Sequence, residues 1–176
     1  KVFYFFEEIS KIPRGSGNTK QISRYCEQFA KDRNLFVHRD EIGNVYIRKE
    51  AHESMKGCDG VIIQGHLDMV TEKTAGSKHD FLKDGLNLYV EDGCVKALDT
   101  TLGADDGIAV AYALAILDSN EELPEIEALF TIDEETGMDG AKVFDAKMIK
   151  SKYMLNLDSE EEGIFVCGCA GGAKVK

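Results

Sequence analysis

The sequence predicts an α/β fold, in which a mixed and largely parallel sheet is flanked by helices. Two apolar runs, at residues 61–63 and 126–132, have the composition of buried strands. Amphipathic or alanine-rich segments alternate with these runs along the chain, which favours helices that cross over between parallel strands. A length of 176 residues fits one domain or a large piece of one.

Two helices are predicted at the start of the chain. The loop at residues 13–18 contains Pro and Gly, and Asn18 or Thr19 is placed to cap a second helix that runs to about residue 34. The first helix is expected to bury one apolar face, formed by Val2, Phe3, Phe6 and Ile9.

The remaining elements alternate between extended and helical patterns. Gly-containing turns separate β-branched runs in two places, which is typical of hairpins. The Ala- and Leu-rich stretch after residue 107 favours a helix. In chain order we predict a hairpin over 35–49, a strand over 61–63, a hairpin over 86–98, a helix over 108–117, a strand over 126–132, a further helical segment, and a strand over 153–157.

Composition excludes two classes of partner. The formal net charge is −11, from 32 acidic and 21 basic residues, and Lys and Arg form no cluster of the kind that phosphate backbones require. We therefore expect no nucleic acid partner. No apolar run approaches the roughly 18 residues that a membrane span needs, so no membrane association is expected either.

The five cysteines favour a reducing compartment. Their odd number, without a secretion signal, predicts free thiols and a cytoplasmic location. Cys167 and Cys169 form a Cys-Gly-Cys motif that has no second pair. We interpret them as strand residues and not as a metal site.

One pattern carries the chemistry. Acidic or imidazole side chains occur four times at the end of an apolar run or a glycine turn. Three of these four groups follow a predicted core strand, and ligands of open α/β sheets bind at the carboxyl ends of such strands. Converging carboxylates repel one another, and cations relieve that repulsion. One His with several carboxylates suits zinc, and cobalt or manganese accept the same ligands. The groups are His66 with Asp68, Asp105 with Asp106, Glu134 with Glu135, and Asp158.

Each group by itself has a simpler interpretation. Asp at a strand-to-helix turn is usually a helix cap, a Glu pair is usually solvated, and His near Asp is often a structural hydrogen bond. A glycosidase also uses two carboxylates, but it leaves His66 and the other acidic positions unexplained. A Ser or Cys nucleophile fits poorly, because Gly-x-Ser-x-Gly is absent from the sequence. The ordered set favours a metal centre.

At these residues the chain resembles the aminoacyl-histidine (Xaa-His) dipeptidases, or carnosinases, within the co-catalytic zinc peptidases and deacylases. The resemblance extends along essentially the whole chain. It is carried by the segments 7–13 (EEISKIP), 64–70 (QGHLDMV), 79–81 (HDF), 100–109 (TTLGADDGIA), 133–141 (DEETGMDGA) and 158–163 (DSEEEG).

The resemblance implies a role for each site residue. His66 and Asp158 would bind one zinc, Asp105 would bridge two zincs, and Glu135 would bind the second. Glu134 would be the general base, and its pKa should lie nearer neutrality than that of a free Glu. Asp68 would accept a hydrogen bond from the ring of His66. A cis peptide bond between Asp105 and Asp106 is also implied, although many relatives have Asn at position 106.

The family also implies what the chain contributes. The implied activity is hydrolysis of Xaa-His dipeptides by a water that two metal ions activate. Full-length relatives are far longer, and the His of their second site lies near the C-terminus. We therefore expect residues 1–176 to be the N-terminal part of the catalytic domain, without the lid and dimerisation domain or the C-terminal part of the catalytic domain. Alone it is expected to be inactive, because its second site lacks a His.

Two alternatives remain open at this point. The chain is also compatible with a metallopeptidase or N-acyl amino acid deacylase of other specificity, because specificity groups lie mostly outside this segment. It is also compatible with a truncated family member that serves as a non-catalytic metal-binding or interaction protein. Family members often dimerise through the lid domain, so the resemblance allows a homodimer of the full-length protein.

Overall fold

The structure is a computed structural model, and it describes residues 1–159, 163–168 and 171. The described strands form a five-stranded sheet and a separate two-stranded hairpin. In chain order the elements are α1 (Val2–Ser10), α2 (Lys20–Asp32), β1 (Phe36–Arg39), β2 (Val45–Lys49), β3 (Val61–His66), β4 (Leu88–Glu91), β5 (Cys94–Ala97), α3 (Ala104–Leu117), β6 (Ile126–Thr131), α4 (Asp139–Val143) and β7 (Tyr153–Asn156).

The large sheet is mixed, as predicted. Its strands lie in the order β1-β2-β6-β3-β7. The half formed by β6, β3 and β7 is parallel, whereas β1, β2 and β6 pair antiparallel. The separate hairpin is β4 with β5, and both predicted hairpins are confirmed. The three parallel strands end at one edge of the sheet, so the residues that follow them meet there.

Three helices cover one face of this sheet and form the main core with it. The α1 helix packs on α3, which in turn packs on β3, while α2 packs on β1 and β2. The predicted apolar face of α1 was wrong at one position. Phe3 is 74% exposed and Phe5 is 2% exposed, because the helical spacing places Phe5 with Val2, Phe6 and Ile9 on the face toward α3.

A smaller apolar cluster closes the opposite face. Tyr46, Ile62 and Leu129 project from β2, β3 and β6, and the segment after α4 packs on them through Phe144, Met148 and Ile149. The same segment then continues into β7. Just before β7, the backbone N–H groups of residues 150 and 151 donate hydrogen bonds to the buried carboxylate of Glu127 on β6. The sheet is therefore covered on both faces.

The strand β7 differs from its prediction as a core strand. All four of its residues are exposed, because β7 lies at the edge of the sheet and pairs with β3 alone among the described strands. Cys167 was also predicted to lie in a strand, and this is wrong, because residues 163–168 pair with none of the described strands. Cys169 lies outside the described residues.

Two boundaries differ from the sequence patterns. The central strand β3 continues past Ile63 to His66, because Gly65 lets β3 pass close to α3: a Cβ there would lie 2.6 Å from that of Ala109. At the start of α2, Thr19 is the N-cap residue, but its side chain makes no capping hydrogen bond. Of the described helices the longest, α3, has 14 residues, and none is long and apolar enough to cross a bilayer.

The described cysteines are free thiols, as predicted. Cys26 is buried against the core, and Cys58, Cys94 and Cys167 are exposed. None of these four forms a disulfide.

Candidate metal centre

The predicted site residues meet at the carboxyl edge of the parallel strands. His66 is the last residue of β3, and Glu134 and Glu135 lie in the loop after β6. Asp105 lies at the start of α3, and Asp158 follows β7. All five therefore come from elements that end or begin at the same edge.

The ring of His66 lies at the centre of this group. Its Nε2 atom is 3.1 Å from Oδ1 of Asp105. The same nitrogen is 3.9 Å from Oε2 of Glu134 and 3.9 Å from Oδ2 of Asp158. Three carboxylates from three different elements thus face one imidazole nitrogen.

The described residues contain two overlapping sets that could hold a metal ion. One set is His66, Glu134 and Asp158, and the other is His66, Asp105 and Glu135. Within each set the ligand atoms lie within 4.8 Å of one another. The structure thus brings all five residues together, but it divides the trio implied for one zinc, His66, Asp105 and Asp158, between the two sets.

Hydrogen bonding determines which ring nitrogen of His66 is available. Nδ1 lies 3.0 Å from the main-chain oxygen of Asp68, and a carbonyl oxygen can only accept, so Nδ1 carries the proton. In the neutral ring, Nε2 then presents a lone pair to the carboxylates around it. A lone pair surrounded by carboxylates is unfavourable unless a proton or a metal ion lies between them.

The electrostatics show the same preference for a cation. Burial lowers the pKa of His66, but its hydrogen bond to Asp68 and the charges of Asp68, Asp106 and Asp158 outweigh burial and raise the pKa to about 9. The buried carboxyl of Asp106 has a raised pKa in the same surroundings. Burial first, and then the charge of Asp158, raise the pKa of Asp106 to about 7.

Asp68 connects His66 to the loop after β6. Its side chain is fully buried, and it accepts hydrogen bonds from the backbone N–H groups of Glu134 (3.0 Å) and Glu135 (3.3 Å) and from Oγ of Ser16 (2.8 Å). Its Oδ1 is also 3.4 Å from Nδ1 of His66, farther than the main-chain oxygen. Burial raises the pKa of Asp68, but its interaction with His66 and the hydrogen bonds from Ser16 and Glu134 lower the pKa to about 2, so the group is ionised at neutral pH.

The two glutamates have pKa values shifted toward neutrality. Burial is the largest cause for both, and the pKa of Glu134 is raised further by the charge of Asp158. The charge of Asp105 has the same effect on the pKa of Glu135. The shift of Glu134 has the direction that a general base requires.

The start of α3 has an irregular backbone that delivers both aspartates. The peptide bond between Asp105 and Asp106 is cis, which confirms the expectation from the resemblance. Both residues have non-helical backbone angles, so regular helix begins at Gly107. The side chain of Asp105 is 71% exposed at the edge, whereas Asp106 points inward and accepts a hydrogen bond from the N–H of His66 at 3.2 Å.

Sequence reasoning missed two residues that hold these loops. Arg14 lies beneath the centre, 2% exposed, and donates to three main-chain oxygens. Asn44, in the turn before β2, donates to the main-chain oxygen of Gly140 and accepts from the N–H of Ile132, and so holds both ends of the loop that carries Glu134. Neither residue belongs to a periodic pattern or a strand end, so no signal in the single sequence identifies it.

The other histidines lie elsewhere. His38 is exposed on β1, His52 hydrogen-bonds to Ser54, and His79 makes an edge contact with Phe81. Among the described residues His66 is thus the one histidine in either ligand set.

Comparison with known proteins shows which proteins the chain is similar to. The chain is 44% identical to the cytosol non-specific dipeptidase of Escherichia coli over 168 residues, which cover 95% of the chain and 35% of that protein. The crystal structure of an aminoacylhistidine dipeptidase from Vibrio alginolyticus superposes with a TM-score of 0.89 at 42% identity, over 92% of the chain and 33% of that protein. The chain is homologous to these dipeptidases.

Other comparisons define the limits of this homology. A tripeptidase from Staphylococcus aureus shares the fold, with a TM-score of 0.74 at 19% identity over 91% of the chain and 43% of that protein. No family model matches the sequence. The chain spans about a third of the length of the Escherichia coli and Vibrio proteins. The predicted resemblance and the predicted fold class are confirmed.

Proposed function

We propose that this chain supplies the N-terminal part of the catalytic domain of a metal-dependent dipeptidase that hydrolyses Xaa-His dipeptides. Homology to two dipeptidases along more than nine tenths of the chain supports the reaction class. The share of those relatives that the chain spans supports its being one part of a larger catalytic unit. A cytoplasmic location is supported by the name of the Escherichia coli relative.

The observation that carries the proposal is the environment of Nε2 of His66. Its lone pair and the surrounding carboxylates of Asp105, Glu134 and Asp158 form a donor set that fits a divalent cation. In our assignment His66 and Asp158 would hold one ion, Asp105 would contribute to both sites, and Glu135 would hold the second ion, whereas Glu134 would act as the base. Zinc suits these donors, and cobalt or manganese can replace it.

Two residues of the chain act in this reaction beside the metal ligands. When bound, the metal ions polarise the scissile carbonyl and lower the pKa of water. Glu134 takes a proton from the attacking water and returns it to the leaving amine, and its raised pKa favours both transfers. Asp68 fixes the ring of His66 and, through the two backbone N–H groups, the loop that carries Glu134.

Zinc titration of the metal-free chain tests the centre. Isothermal titration calorimetry should show zinc binding to the wild type and to His38→Ala, because His38 is exposed on the outer strand β1 and belongs to neither ligand set. His66→Ala should weaken zinc binding at least about tenfold, since it removes the only imidazole of both ligand sets among the described residues. Equal affinity of His66→Ala and His38→Ala would refute the proposed centre.

Activity measurements test whether the chain is active alone and whether Glu134 is the base. The 176-residue chain should release no histidine from carnosine, because the second ion lacks a histidine ligand within this chain. Metal-dependent turnover of carnosine by the purified chain would contradict this. In a protein that also contains the other two thirds of the relatives' length, Glu134→Gln should abolish turnover while zinc binding is retained.

A broader dipeptidase is the second candidate. The observation that favours it is the name of the Escherichia coli relative, a non-specific dipeptidase. Comparable rates on carnosine and on dipeptides that lack histidine would favour this candidate over the Xaa-His enzyme. The homodimer that the resemblance allows stays a prediction.

A further inference from the structure

Arg14 is a buried cation in the loop between α1 and α2. It is 2% exposed, and burial lowers its pKa to about 10, although the charges of Asp68, Asp106 and Asp105 oppose the shift. The guanidinium therefore stays charged at neutral pH. A buried cation requires a reason, because taking a charge out of water is costly unless its partners compensate.

The hydrogen bonds of Arg14 reach two separate segments. Nη1 donates to the main-chain oxygens of Leu67 (3.1 Å) and Asp68 (3.3 Å), and Nη2 donates to the main-chain oxygen of Gly103. The first two acceptors directly follow His66 in the chain. Gly103 precedes Asp105 by two residues, so one planar group connects the segments that carry these two side chains.

The connection to His66 involves a shared atom. The main-chain oxygen of Asp68 accepts from Nη1 of Arg14 and also from Nδ1 of His66, at 3.3 Å and 3.0 Å. A displacement of the guanidinium would therefore shift the acceptor that orients the imidazole ring. At its other end Arg14 holds the backbone from which Asp105 reaches Nε2 of His66 at 3.1 Å.

The space around the guanidinium is fitted to it. A Cβ at Gly107 would lie 2.5 Å from Nη2 of Arg14, and one at Gly103 would lie 2.6 Å from the same atom. Gly103 also has a φ of +63°, which suits glycine. At these two glycines the start of α3 thus lies too close to the guanidinium to leave room for a Cβ atom.

We propose that Arg14 is a positioning residue of the metal centre, which sets the separation of His66 and Asp105 through its fork of hydrogen bonds. This inference rests on the proposed function, because it requires that the two residues bind a common ion. It differs from a role in charge balance. The positive charge of Arg14 by itself opposes cation binding, so its removal would tighten metal binding if charge alone mattered.

Cobalt binding to the full 176-residue chain separates these roles. Titration of the metal-free chain with Co²⁺, followed by visible absorption, reports both the affinity and the ligand geometry. Arg14→Lys keeps the charge but loses the planar fork, and Arg14→Met loses both. We expect both variants to bind Co²⁺ about 10- to 100-fold more weakly, with altered visible bands. Arg24, exposed on α2, provides matched controls in Arg24→Lys and Arg24→Met, which should behave as wild type.

The outcomes are distinguishable. Failure of the wild type to bind Co²⁺ would refute the proposed function itself. Wild-type binding with equal or tighter binding by Arg14→Met would refute only the positioning role. Wild-type behaviour of Arg14→Lys beside impaired Arg14→Met would show that the centre does not need the planar fork, and it would also overturn the positioning role. Circular dichroism of the metal-free variants checks folding, and loss of the fold in both Arg14 variants would show that Arg14 serves the fold and not the centre.

Discussion

Replacement of Asp68 by Asn tests how the centre is held together. The carboxylate of Asp68 accepts three hydrogen bonds, from Ser16, Glu134 and Glu135, at a site with no solvent exposure. An amide of the same size keeps one acceptor oxygen and turns the other into a donor. At least one buried N–H or O–H then loses its partner. A hydrogen bond to a charged group contributes about 1.5–3 kcal/mol, and the remaining bonds become neutral, so we expect Asp68→Asn to lower the free energy of unfolding by about 2–4 kcal/mol.

Urea unfolding of the metal-free chain at pH 7 measures this loss. Asp59→Asn is the matched control, because Asp59 is 52% exposed in a surface ion pair with Lys152, and its replacement should change the free energy of unfolding by less than about 0.5 kcal/mol. The pKa of Asp68 is lowered to about 2, so its contribution is present above the unfolded-state pKa, about 4, and is lost as the pH falls toward 2. The difference between wild type and variant should therefore shrink over that range. A difference below about 0.5 kcal/mol at pH 7 would refute the reasoning.

Three further predictions concern packing, loop attachment and a surface charge. Gly65→Ala places a Cβ 2.5 Å from Oδ2 of Asp106, so we expect a loss of about 1–3 kcal/mol in urea unfolding, and wild-type stability would contradict the close approach of β3 and α3. Asn44→Ala removes the buried hydrogen bonds that hold the loop after β6, so stability should fall by about 2–3 kcal/mol and zinc affinity with it; unchanged calorimetric affinity would show that the loop keeps its position without Asn44. Burial raises the pKa of Asp118, but its hydrogen bonds with the N-terminal lysine and with Arg33 outweigh that effect and lower it. Asp118→Asn should therefore cost about 0.5–1 kcal/mol at pH 7, and this cost should vanish as the pH falls below about 4. A cost that does not depend on pH would rule out the ion pairs as its cause.

Much of the fold could be predicted because its elements are encoded locally. The runs at 61–63 and 126–132 are short, apolar and bounded by polar residues, and they became the central strands β3 and β6. The exposure of β7 could not be predicted in the same way. Its apolar sequence resembles that of a core strand, but its position at the sheet edge depends on pairing with β3, which no local pattern specifies.

The same distinction between local and long-range signals holds for the residues of the candidate centre. His66, Glu134 and Asp158 were identifiable because each follows an apolar run, and parallel strands bring their carboxyl ends together. Arg14 and Asn44 act through main-chain groups far away in sequence, at residues such as Gly103 and Gly140. Any backbone offers such groups, so the single sequence contains no mark of these contacts.

The pairing of β3 with β6 has a consequence for how such a chain can change in evolution. Both strands are six residues long, and they pair in parallel from Val61 with Ile126 to His66 with Thr131, without a bulge. One inserted residue in either strand would move every following side chain to the opposite face of the sheet. It would turn the imidazole away from the carboxylates or carry the loop after β6 out of reach. We therefore expect length variation in connections such as the long segment between β3 and α3, whereas the two central strands must keep their length.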